Sequence, residues 1–179
     1  MEQICLFNQS IWKVFEVFVD EPLKIHYIKE ISRKINLAPT SVKKYLLDME
    51  KQKILMKKKG ERFEGYIANR DGETFLFSKK IFNLVKLNSS GIINYIIENI
   101  HPKSIVLYGS YFRGEDVNES DIDLFILSNV RKNFDLDKFE KLLKRKIHII
   151  IENNFKKINP NLQMEIINGQ VLFGYLKNE

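Results

Sequence analysis

Ile105-Val106-Leu107-Tyr108-Gly109-Ser110-Tyr111-Phe112-Arg113-Gly114 and, five residues on, Ser120-Asp121-Ile122-Asp123-Leu124-Phe125-Ile126-Leu127 decide the fold of the C-terminal half. The first stretch reads as a strand, a glycine-serine turn and a short helix. The second reads as a strand carrying two carboxylates one residue apart. Strand side chains alternate faces, so Asp121 and Asp123 point the same way, among apolar neighbours that mark a buried strand. Two carboxylates on one buried edge repel unless a cation sits between them. Magnesium, or manganese in its place, suits hard oxygen ligands shared between carboxylates and phosphates.

The turn supplies the other half of such a site. Gly109 has no Cβ and admits a phosphate close to the backbone, Ser110 offers a hydroxyl, and the following helix presents free N–H groups. Arg113, one turn into that helix, is within reach of a phosphate. The combination points to metal-assisted handling of a nucleoside triphosphate such as ATP, by positioning and charge neutralisation. An isolated Asp-x-Asp carries little information, whereas the full spacing GS-x3-G-x5-SDxD between two apolar strands is specific.

These residues resemble the minimal nucleotidyltransferases of the DNA polymerase β superfamily, at Gly109 and Ser110, at Arg113 and Gly114, and at Asp121 and Asp123. The resemblance implies an α/β (α+β) domain with a short mixed sheet over residues 90–179. It implies magnesium held by Asp121 and Asp123, and a triphosphate bound by Gly109, Ser110 and Arg113, with Ser120 beside them. The family pattern has a third carboxylate on a later strand. Here the matching stretch is Arg145-Lys146-Ile147-His148-Ile149-Ile150-Ile151, which puts His148 at that catalytic position. An imidazole can act as a base near neutral pH yet adds no negative charge for a hard cation. Glu152 shares the face of His148 but lies roughly 13 Å along the strand, at ~3.3 Å per residue, too far to substitute. A lone histidine in an apolar strand is also commonly a hydrogen-bonded, partly buried residue.

The N-terminal third reads differently. An apolar helical pattern runs through Ile11, Trp12, Val14, Phe15 and Phe18 and stops at Asp20-Glu21-Pro22. A second helix fits Ile25 to Ile35. After the turn Asn36-Leu37-Ala38, Pro39 opens a third helix through Val42, Tyr45, Leu46 and Met49. Two extended runs, Ile54 to Lys59 and Arg62 to Ala68, flank a turn at Gly60. The unit looks like a winged helix-turn-helix domain over residues 1–70, with 71–89 as a connecting helix. That resemblance implies double-stranded DNA as partner, with Thr40, Ser41, Lys43 and Lys44 facing the major groove. Lys57, Lys58, Lys59 and Arg62 of the wing would lie along the backbone, and two copies of the chain would pair on two half-sites.

Charge placement agrees. Residues 1–70 carry 14 Lys or Arg against 9 Asp or Glu, whereas residues 71–179 carry 15 against 14. The excess positive charge of the chain therefore falls on the segment read as the DNA reader. A plain solvated hairpin on a protein-docking module is the competing reading. Cys5 is the single cysteine, which excludes a disulfide framework and a thiolate zinc site. With no signal-peptide pattern and no apolar run of membrane-spanning length, a soluble cytoplasmic protein without a membrane partner is expected.

Three functions fit the sequence. The first is a DNA-tethered nucleotidyltransferase moving a nucleoside monophosphate, AMP by preference, to an acceptor. The second is a transcriptional regulator whose transferase fold has become a nucleotide sensor or scaffold, as His148 permits. The third is implied by the resemblance alone: minimal nucleotidyltransferases pair as antitoxins with small helical HEPN-type toxins.

Overall fold

The computed structural model describes residues 10–61 and 63–176, so the expectations placed on Cys5 and Arg62 lie outside the described residues. The chain forms two compact units that divide between Lys79 and Lys80. Among the described residues, no helix is long and apolar enough to cross a membrane.

The N-terminal unit contains α1 (Ser10–Asp20), α2 (Ile28–Ile35), α3 (Pro39–Lys51) and the antiparallel pair β1 (Leu55–Lys59) and β2 (Glu64–Ala68). Helix α2 starts three residues later than its apolar pattern predicts. Its intended first turn is claimed by a β-bridge between His26 and Tyr66, closed by backbone hydrogen bonds of 2.8 and 2.9 Å. The turn after α2 is set by Asn36, in the left-handed region at φ 52°, and by the Ser32 hydroxyl, which donates to the Leu37 carbonyl at 2.6 Å. Val14, Phe18, Ile31, Val42 and Leu46 are fully buried, so the three helices meet at one apolar core. Pro39 sits at the first turn of α3, where its missing N–H costs nothing.

His26 is a weak point of this core. Its ring is buried edge-on against Phe18, its Nε2 lies 3.0 Å from the Glu21 carbonyl, and Nδ1 has no partner. Burial holds its pKa below the ordinary 6.5, so the fold keeps the ring neutral while the unfolded chain protonates. Stability is therefore full above pH 6.5 and declines as pH falls through that value toward the depressed folded pKa. A His26→Gln protein, followed by urea unfolding between pH 7.5 and 5, is expected to lose that acid-side decline.

Helix α4 (Glu73–Ser89) falls within the connecting helix expected over 71–89 and contains the division between the units. The C-terminal unit continues with α5 (Ile92–Ile100), β3 (Ser104–Tyr108), α6 (Gly109–Arg113), β4 (Ile122–Leu127) and α7 (Asp137–Leu143). It closes with β5 (Ile147–Glu152), a 3-10 turn at Phe155–Lys157, α8 (Pro160–Ile167) and β6 (Gln170–Gly174). The sheet order is β5-β4-β3-β6. β4 and β5 are parallel, across the α7 connection, and β3 is antiparallel to both its neighbours.

Alternation gives the sheet two unlike faces. Ile105, Leu107, Ile122, Leu124 and Ile126 join Ile93, Ile96 and Ile100 of α5 and Phe139 and Leu143 of α7 in the larger core. The other face holds Val106, Tyr108 and Phe125 under Ile158 and Ile166, so α8 covers part of it. Asp123, two residues before Phe125, shares this second face beyond the cover. The C-terminal segment forms edge strand β6, with Val171 and Phe173 partly exposed.

Candidate active site

Register brings the site together. Tyr108 of β3, Asp123 of β4 and His148 of β5 are neighbours across three adjacent strands. The Asp123 side chain is 27% exposed, and its Oδ1 lies 3.4 Å from Nδ1 of His148, itself 58% exposed. The expectation of a partly buried histidine is thereby corrected: β5 is an edge strand, and the imidazole stands open to solvent beside the carboxylate. Burial pushes the Asp123 carboxyl above the usual carboxylate range, partly offset by His148 and reinforced by Asp121 and Glu165. Burial, then the Asp123 charge, pushes the Tyr108 phenol up to about 12, so it stays protonated at neutral pH.

Asp121 falls one residue before β4 and is exposed, so only Asp123 of the pair is on the regular strand. Asp121 borders a separate surface cavity of about 500 Å3 whose wall carries Lys141, Lys144 and Lys146. Gly109 is the first residue of α6 and has φ +77°, in the left-handed region. A Cβ placed on Gly109 would come 2.6 Å from Asp123 Oδ2. Glycine is thus required twice, for its backbone conformation and for the room it leaves the carboxylate. Gly109→Ala is expected to fold with a loss of roughly 1–2 kcal/mol from the left-handed backbone, because Asp123 can rotate away. That rotation displaces the carboxylate, so any chemistry that depends on Asp123 should drop about 100-fold; a rate assay beside a thermal melt separates the two effects.

The remaining sequence candidates are placed less directly. Ser110 is half-buried on α6. Arg113 donates from Nε to Glu115 Oε2 at 2.7 Å, an exposed pair within its own loop. The Ser120 hydroxyl accepts from the Val117 N–H at 3.0 Å and shapes the turn before Asp121. Glu152 is held by Arg131 at 3.0 Å and takes no part in the site. In the N-terminal unit, Thr40, Lys43 and Lys44 are exposed on α3, Ser41 is half-buried, and Lys58 and Lys59 are exposed on β1. Lys57 is paired with Glu50 at 3.1 Å.

Sequence reasoning missed the support of the Asp121 loop. Asp116, whose side chain is 0% exposed, accepts from Asn83 Nδ2 at 2.9 Å and pairs with Arg145 at 3.2 Å. Arg145 also donates to the Asn118 carbonyl at 2.8 Å, and Asn83 to the Tyr111 carbonyl at 2.8 Å. The loop from Gly114 to Ser120 is therefore tied to α4, α6 and the entry to β5. The acidic residue after Arg113-Gly114 was the available signal, but nothing in the sequence reveals its burial.

Among the described residues, no three His, Cys, Asp or Glu side chains stand close enough to hold a metal ion. The carboxylates available to a small hard cation are Asp121 and Asp123, which phosphate oxygens and water would complete, and the missing Cβ of Gly109 leaves the room that the Asp123 carboxylate takes.

Residues 90–178 match the family described as polymerase beta, nucleotidyltransferase. The chain is also 37% identical over 78 residues to a protein of Methanocaldococcus jannaschii named "Putative protein adenylyltransferase", covering 40% of this chain and 78% of that one. No solved structure gives a significant match. With the glycine-serine turn, the paired aspartates and the mixed sheet in register behind them, this chain belongs to the polymerase beta nucleotidyltransferase family.

Proposed function

We propose that the C-terminal unit transfers AMP from magnesium-ATP to a hydroxyl group of a protein acceptor and releases pyrophosphate. The observation that carries this reading is the Asp123 carboxylate set against the bare Cα of Gly109, two residues after the open carboxylate of Asp121. The name of the archaeal relative supports AMP as the group transferred and a protein as the acceptor. Asp121 and Asp123 hold magnesium or manganese, which when bound neutralises the triphosphate charge and favours loss of pyrophosphate. The Gly109 backbone and the Ser110 hydroxyl bind phosphate oxygens, and Arg113 exchanges Glu115 for the triphosphate.

In the transfer, the acceptor oxygen forms a bond to the α-phosphorus as the bond to the β-phosphate bridge breaks. His148 takes the acceptor proton, oriented by Asp123 at 3.4 Å. ATP labelled at the α-phosphate should leave its label on protein, and ATP labelled at the γ-phosphate should not. The reverse pattern rejects adenylyl transfer in favour of phosphoryl transfer.

A second reading concerns the N-terminal unit, as a winged helix-turn-helix reader of double-stranded DNA. It rests on the α2-turn-α3 arrangement followed by a hairpin, with Thr40, Lys43 and Lys44 exposed on α3 and Lys58 and Lys59 on β1. Binding as a homodimer fits such a reader. Lys43→Ala with Lys44→Ala is expected to reduce the dependence of log K on log salt by about 1.8, at ~0.9 per phosphate contact. An unchanged slope removes the recognition-helix assignment. A chain whose transferase unit acts as a nucleotide sensor, or covers a HEPN-type toxin, would keep DNA binding after loss of both aspartates.

A further inference from the structure

A cavity of about 900 Å3 opens at the far end of the C-terminal sheet from the carboxylates. Leu127 on its wall lies on the strand face of Asp123 but four residues further on, roughly 13 Å away at ~3.3 Å per residue. Three kinds of group meet there. Phe155, Phe173 and Tyr175 give aromatic surface, and the Phe155 ring is fixed edge-on against Phe125 at 5.8 Å. Lys103 and Lys156 give positive charge, and neither shares an ion pair with a carboxylate among the described residues. Asn153 and Gln163 give amides, with Gln163 Nε2 donating to the Ile158 carbonyl at 2.7 Å, which leaves its oxygen as an acceptor.

Among the described residues, no Asp or Glu lines the cavity. Aromatic faces, amide edges and unopposed lysines together match a ligand with a flat π surface, a hydrogen-bonding edge and a phosphate. We propose that this cavity is a second nucleotide-unit site, separate from the transferase site. The base stacks on Phe155 and Phe173, and the phosphate meets Lys103 and Lys156. A free nucleoside phosphate and one unit of a single-stranded nucleic acid share this chemistry. An acidic peptide would satisfy the lysines but leave the aromatic wall without a counterpart.

The test uses the full chain carrying Asp121→Asn and Asp123→Asn, in EDTA at low salt, so that the transferase site is silent. Calorimetric titrations with AMP, an adenylate hexanucleotide, inorganic phosphate and hexaglutamate are repeated after Lys103→Ala with Lys156→Ala, and after Phe173→Ala. All three residues are exposed, so the variants fold, and a thermal melt unchanged from the parent protein is the control. The expected result is that each change weakens nucleotide binding at least ~10-fold. Tighter binding of the hexanucleotide than of AMP assigns a strand, and equal binding assigns a free nucleotide. Nucleotide affinity unaltered by these changes, phosphate bound as tightly as AMP, or hexaglutamate bound better than either nucleotide overturns the proposal.

Discussion

Asp123→Asn should reduce nucleotide transfer by at least ~1000-fold while making the protein more stable at neutral pH. On the proposed mechanism, losing one of the two carboxylates that would hold magnesium removes several kcal/mol of charge stabilisation, and each ~1.4 kcal/mol is tenfold in rate. The stability gain follows from the same burial. The folded state raises the Asp123 pKa above 3.8, so it favours the protonated form, and ionised Asp123 costs stability at neutral pH. Asparagine keeps the shape beside Gly109 without that cost. The advantage over wild type shrinks as pH falls through the raised pKa and is gone below 3.8, where both side chains are neutral. Thermal melts at pH 7 and pH 3.5 beside a transfer assay check both halves. A variant that loses stability at pH 7 would show Asp123 to be a structural partner of His148 rather than a carboxylate kept for catalysis.

Arg145→Met should destabilise the C-terminal unit by roughly 3–5 kcal/mol, because it removes a cation paired at 3.2 Å with the buried Asp116 carboxylate. Asp116 keeps the Asn83 amide at 2.9 Å, but the Arg145 ion pair is gone and Asn118 loses the donor to its carbonyl. Restoring neutrality with Arg145→Met plus Asp116→Asn should recover a large part of the loss, since both charges are then absent. The melting temperature of the single variant is expected to fall by roughly 10 °C, at ~2–4 °C per kcal/mol for a chain of this size. A single variant as stable as wild type would mean that the loop before Asp121 is held by its backbone turn alone.

Much of the C-terminal fold was legible because its signals are local. The apolar runs 105–108 and 122–127 can only be strands between turn residues, and Gly109-Ser110 marks a helix start that the structure places at Gly109. Boundaries failed where tertiary contacts overrode them, as at α2, whose first turn is taken by the His26–Tyr66 bridge. The paired aspartates and the glycine beside them were legible as a motif, and the match over residues 90–178 agrees with it. The surroundings of His148 were not, because edge position and exposure depend on which strand pairs with β5. Asp116, Arg145 and Asn83 were illegible for a related reason. They are 29 and 33 residues from Asp116 in sequence, and only the folded chain makes them one network.

The most direct test of the central claim is magnesium-ATP titration of wild type and of the Asp121→Asn, Asp123→Asn double variant, with pyrophosphate release followed in the same samples. The account predicts magnesium-dependent ATP binding in wild type and its loss in the double variant, with pyrophosphate released only where a protein acceptor is present. Equal magnesium-dependent ATP binding by the two proteins would contradict it.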